Sequence, residues 1–219
     1  MFAGDPSLPL EYIFLSEVLS GNEQGLKKLI QKAQGLNITN AVINFQDEIG
    51  QTPLILASAK GYLSMVKKLI ERGARVDASQ KDGTNAAYVA AQNGHFDVLK
   101  LLIQNHSNLI NLKGYKGQLP LFPAASNGHL DIVKYLTSLS NKSIHIQDND
   151  GQTPFIAAAK NGHSDVAEYL LSAQWNVTLS RGKFLRINLR IIFHGKNFYC
   201  LMLTLKISHI QFSYRIKNN

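Results

Sequence analysis

What this chain of 219 residues has little of narrows the field first. It has one cysteine, Cys200, so no intrachain disulfide can form and an oxidising compartment is not indicated. No apolar run is longer than Phe198 to Leu203, which is far too short to span a bilayer. The opening Met1-Phe2-Ala3-Gly4-Asp5-Pro6 has no basic segment ahead of an apolar one, so no secretory signal is expected and a cytoplasmic location is. There is no His-Glu-x-x-His, no cysteine pair and no glycine loop of the kind that cradles phosphate. No nucleophile stands with a base and an orienting group. These gaps lead us to expect no enzyme activity, no metal, no cofactor and no small-molecule substrate. Acidic residues are missing from one region only. Residues 1–180 hold 15 Lys/Arg against 15 Asp/Glu, whereas residues 181–219 hold 8 Lys/Arg and no acid, so the net charge of +8 belongs entirely to the tail. A pI near 9.5 is therefore no argument that the first 180 residues bind nucleic acid.

What is present is a period. Gly151-Gln152-Thr153-Pro154-Phe155 leads through Ile156 to Lys160 to Gly162-His163. Gly50-Gln51-Thr52-Pro53-Leu54, Gly83-Thr84-Asn85-Ala86-Ala87 and Gly117-Gln118-Leu119-Pro120-Leu121 lead likewise to Gly61, Gly94 and Gly128. The opening glycines are spaced by 33, 34 and 34 residues, and the closing ones keep the same steps. Each copy reads as a turn and two helices. Thr or Asn is placed to cap the first helix, Pro suits its first position, and glycine ends it. A second ladder, Ile43-Asn44, Val76-Asp77, Ile110-Asn111, Ile144-His145 and Val177-Thr178, keeps the register. Such a fixed period is the mark of a solenoid. In repeat three Leu119 stands where the cap belongs and Pro123 lies inside the first helix, so this helix is expected to be the least regular of the stack.

These residues resemble the ankyrin repeat family. The reading is an all-α solenoid over residues 10–179, with a degenerate first repeat at 10–44 and repeats at about 47–78, 81–112, 116–146 and 150–179. Within the first repeat, Leu10 to Ser20 and Glu23 to Lys32 read as helices, and 33–42 reads as a long connection. The family's His at the fourth position of Thr-Pro-Leu-His is replaced by Ile55, Tyr88, Phe122 and Ile156, which predicts that an inter-repeat hydrogen bond gives way to apolar contact. His95, His129 and His163 recur at the repeat spacing and are expected to hydrogen-bond within the stack rather than to gather a ligand. Asp97, Asp131 and Asp165 fall in the first turn of the second helices, where negative charge is favoured.

The resemblance implies protein binding without catalysis, as a monomeric scaffold or adaptor that meets its partner with the turn tips and the inner helix face. Carried over by position, the candidate contacts are Glu48, Ile49, Gln51 and Lys60 in repeat one, and Lys81, Asp82, Thr84 and Asn93 in repeat two. They continue as Tyr115, Lys116, Gln118 and Asn127 in repeat three, and Asn149, Asp150, Gln152 and Lys160 in repeat four. Tyr115 and Ile49 stand out because the fold has no need of an apolar surface at a tip.

The tail at 180–219 is unrelated to the repeats. Phe184 to Phe193, Leu201 to Ile207 and Ile210 to Ile216 alternate with a strand period, with turns expected at Gly195-Lys196-Asn197 and Ser208-His209. Three readings of it stand open. It is a small basic meander capping repeat four, a surface for anionic membrane or nucleic acid, or an out-of-frame or truncated extension. A further alternative makes the repeats the targeting part of a longer ankyrin-containing enzyme.

Overall fold

The structure is a computed structural model. It describes residues 9–176, with side chains to 173, and the backbone of three strands in the tail. Eleven α-helices run through the first part. They are α1 (Leu10–Ser20), α2 (Glu23–Gly35), α3 (Thr39–Ile43), α4 (Pro53–Lys60), α5 (Leu63–Glu71), α6 (Ala86–Gln92) and α7 (Phe96–Asn105), then α8 (Leu121–Ser126), α9 (Leu130–Leu139), α10 (Pro154–Lys160) and α11 (Ser164–Asn176).

The local chemistry of each pair follows from its sequence. Thr52 Oγ1 accepts from Ile55 N at 3.1 Å, Asn85 Oδ1 from Tyr88 N at 3.0 Å and Thr153 Oγ1 from Ile156 N at 3.3 Å, each satisfying an orphan donor at a helix start. Helix α8 has no side-chain cap and, with six residues, is the shortest of the four inner helices, as Leu119 and Pro123 predict. Pro123 sits in its first turn, where a missing N–H costs little. The inner helices α4, α6, α8 and α10 lie side by side and are rich in alanine. Ala57, Ala90, Ala91, Ala124, Ala125, Ala158 and Ala159 are buried, because neighbouring helices leave space for little more than a methyl. The outer helices are amphipathic and bury one stripe each: Val66 and Leu69, then Val98, Leu99 and Leu102, then Ile132, Val133 and Leu136, then Val166, Ala167 and Leu170.

The stack is laced at the helix-pair junctions. Asn93, Asn127 and Asn161 donate through Nδ2 to Ala59 O at 2.8 Å, Gln92 O at 2.7 Å and Ser126 O at 2.7 Å in the preceding repeat. The Nε2 atoms of His95 and His129 donate to Ala59 O and Gln92 O, both at 3.0 Å, which requires the Nε2–H form because a carbonyl only accepts. The expected role of these two histidines as stack residues is thus seen directly. One expectation is corrected at the start. The stretch 33–42 is not a plain connection, since α2 runs on to Gly35 and α3 begins at Thr39, where Val42 and Ile43 turn inward and are fully buried.

In the tail, Arg186–Ile191, Leu201–Ile207 and Ile210–Arg215 (β1 to β3) pair antiparallel in chain order. The two expected turns, the opening residues 1–8 and the Val177-Thr178 rung lie outside the described residues. Among the described residues no helix is long and apolar enough to cross a membrane.

Candidate binding groove

Four turns project from the stack at residues 47–51, 80–84, 114–118 and 148–152. All four close with the same two backbone bonds. Asp47 N donates to Gln51 O and Gly50 N to Asp47 O, and the pattern repeats at Gln80/Thr84 with Gly83, Gly114/Gln118 with Gly117, and Asp148/Gln152 with Gly151. Tips one and four are further braced by an aspartate. Asp47 Oδ1 accepts from Ile49 N at 3.1 Å and Gln51 N at 2.8 Å, and Asp148 Oδ1 accepts from Asp150 N at 3.0 Å and Gln152 N at 2.8 Å. In tip two Asp82 Oδ1 takes the Thr84 N–H at 2.8 Å. Lys81 N donates to Ile49 O and Asn149 N to Lys116 O, both at 3.0 Å, so tips one and two, and tips three and four, are tied to each other through their backbones.

Between tips three and four and the inner helices lies a cavity of about 320 Å³. Tyr88, Gln118, Phe122 and Pro123 form its buried floor. Tyr115, Lys116, Asp150, Gln152 and Lys160 form its rim. Lys116 Nζ lies 2.8 Å from Asp150 Oδ2. That hydrogen bond, more than the coulombic attraction, raises the lysine above its ordinary range. Lys160 Nζ donates to Gln152 Oε1 at 3.1 Å. Burial pushes the Tyr88 hydroxyl up to about 12, with the Asp82 charge adding to it, so the phenol keeps its proton.

The residues singled out in the sequence fall into three groups. Glu48, Ile49, Lys60, Lys81, Asp82, Tyr115, Lys116, Asn149, Asp150 and Lys160 are exposed, and Gln51 and Gln152 are half-buried. Asn93 and Asn127 are exposed too, but their amides are engaged on the preceding repeat. Thr84 and Gln118 are buried, 7% and 9% exposed, and offer a partner almost no surface. Tyr115, Lys116, Asp150, Gln152 and Lys160 come together at the cavity, whereas Ile49 stands apart at tip one. Of the floor residues only Gln118 was among the candidate contacts, and Tyr88, Phe122 and Pro123 were not. The signal for Tyr88 and Phe122 was the run of replacements at the fourth position of the Thr-Pro-Leu-His motif, of which they are two. That run was expected to remove inter-repeat hydrogen bonding. At Tyr88 it does not, since the hydroxyl donates to Gln118 Oε1 at 2.9 Å, across the repeat boundary. Among the described residues no group of three or more His, Cys, Asp or Glu is arranged to hold a metal.

Paired helices in register, projecting tips and a grooved inner face define an α-solenoid of the protein-interaction class. A family model for ankyrin repeats in three copies matches residues 15–113 and 104–180, and the chain belongs to the ankyrin repeat family. Repeats of this family generally mediate protein–protein interaction. An ankyrin repeat protein of Acanthamoeba polyphaga mimivirus is 34% identical over 85 residues, 36% of this chain and 11% of that protein. The Notch-regulated ankyrin repeat-containing protein of Homo sapiens is 38% identical over 94 residues, covering 42% of this chain and 77% of its own. The nuclear factor NF-kappa-B p105 subunit of Gallus gallus is 31% identical over 116 residues, 52% of this chain and 11% of that protein. The chain thus spans about a tenth of the viral protein and of the avian one.

Proposed function

We propose that this protein is a non-catalytic adaptor that binds another protein through tips three and four and the inner faces of α6, α8 and α10. One observation carries the reading. The exposed Tyr115 ring stands at the mouth of a cavity whose floor is aromatic and whose rim carries paired charges. An aromatic anchor beside a pocket rimmed by polar groups is the arrangement in which a few residues supply most of an interface's energy. The contact set is Tyr115, Lys116, Asn149, Asp150, Gln152 and Lys160, with Ile49, Glu48, Lys60, Lys81 and Asp82 extending it toward tip one. Thr84 and Gln118 drop out as direct contacts because they are buried.

The test places a photo-crosslinking amino acid at Tyr115 or, for comparison, at the exposed Lys100 of outer helix α7. Discrete adducts are expected from position 115, absent from position 100 and retained at high salt. Equal labelling at the two positions overturns the reading. Adducts that vanish with salt favour the tail instead, whose 8 Lys/Arg without an acid suit a polyanion. Binding through six or more phosphate contacts would weaken by roughly a thousandfold or more between about 50 and about 200 mM salt.

A further inference from the structure

The floor and the rim of the cavity are joined by a buried chain of hydrogen bonds. Tyr88, Gln118 and Asp148 are 4%, 9% and 8% exposed. The Tyr88 hydroxyl donates to Gln118 Oε1 at 2.9 Å, and Gln118 Nε2 donates to Asp148 Oδ2 at 3.0 Å. The direction of this chain is fixed by its far end. An ionised carboxylate only accepts, so the glutamine must turn its nitrogen to Asp148 and its oxygen to the phenol. The other carboxylate oxygen, Asp148 Oδ1, holds the backbone N–H groups of Asp150 and Gln152. One continuous path therefore runs from α6 in repeat two, through tip three, to the backbone of tip four. Tip three is fitted to the same tyrosine. A Cβ on Gly114 would lie 2.5 Å from Tyr88 Cδ2, so the turn backbone lies directly on the ring.

We propose that Tyr88, Gln118 and Asp148 are positioning residues that fix tips three and four against the groove floor, so that the groove has its shape before a partner arrives. Its meaning for binding rests on the groove being the partner site, but the coupling itself does not. Buried polar chains act as a unit, because losing one member strands the groups it satisfied. Tip one supplies the contrast. Asp47 braces Ile49 N and Gln51 N as Asp148 braces tip four, yet among the described residues no side chain reaches Asp47 as Gln118 reaches Asp148.

Amide hydrogen exchange on the full chain decides the matter without any partner. In Gln118→Met the amides of Asp150 and Gln152 should exchange about tenfold faster or more, through local opening of the tip. The Ile49 and Gln51 amides, and core amides such as Leu102, should keep their rates. Tyr88→Phe, which removes a single oxygen, should move the same tip amides in the same direction. Tyr135→Phe, the same change at a half-buried ring outside the path, should move none of them. Unchanged rates at Asp150 and Gln152, or equal acceleration at every amide, overturn the proposal. Should Gln118→Met not fold, Tyr88→Phe alone decides it. Crosslinking at Tyr115 reports separately on whether the groove is the partner site.

Discussion

His95 lies on Gly61, and the contact separates two costs that a glycine substitution usually mixes. Gly61 and Gly73 both have left-handed backbones, with φ of +74° and +87°. A Cβ on Gly73 would meet nothing within 4 Å, whereas one on Gly61 would lie 2.5 Å from His95 Nδ1. Gly73→Ala should therefore cost only backbone strain, about 1–2 kcal/mol. Gly61→Ala should cost at least about 1 kcal/mol more, because the imidazole must leave Ala59 O to make room. Urea denaturation of the two variants measures the difference, and equal losses would mean that His95 contributes nothing at this junction. At tip three the strain falls on a side chain that has one, since Lys116 itself takes φ +53°. Its carbonyl accepts from Asn149 N and its ammonium reaches Asp150, so two bonds to tip four hold it there.

Each inner helix is a variation on one design, and the variants expose what each part does. Asn85 caps α6 as Thr52 and Thr153 cap α4 and α10, but its amide nitrogen is buried with no hydrogen-bond partner among the described residues. Asn85→Thr keeps the capping oxygen and removes the stranded donor, and it should stabilise the protein by about 1 kcal/mol. Thermal melting checks this, and a lower melting temperature would show that the nitrogen has a use. Helix identity, order and the weakness of α8 were readable because they depend on residues within a few positions of each other, Thr-Pro at a start and Gly at an end. The path from Tyr88 to Asp148 was not readable. It joins residues 30 apart, twice over, and a tyrosine in place of the family's histidine looks like a lost hydrogen bond until the turn beyond it is placed. The burial of Thr84 and Gln118 was hidden for the same reason, since a tip position is exposed or covered according to the neighbouring repeat. Helix α3 escaped because five residues give too little of a period to recognise.

In a stack where each repeat touches only its neighbours, stability is close to a sum of repeat and junction terms. Leu136 is fully buried in α9, and truncating it should cost about 2–5 kcal/mol in repeat three. The single tryptophan of the sequence, Trp175, belongs to α11 in the last repeat. In Leu136→Ala the fluorescence of Trp175 should therefore report unfolding at lower urea than circular dichroism does, with the two coincident in the unaltered protein. Coincident transitions in the variant would make the whole stack a single cooperative unit. The seating of tip three on the Tyr88 ring has a consequence for how such a protein can be remade. Tips one and four carry aspartate at the position of Gly114, and a copy of either, spliced in as repeat three, would drive its side chain into the tyrosine. Repeats two and three are therefore not interchangeable bricks. They form a matched cassette, to be duplicated, grafted or inherited together.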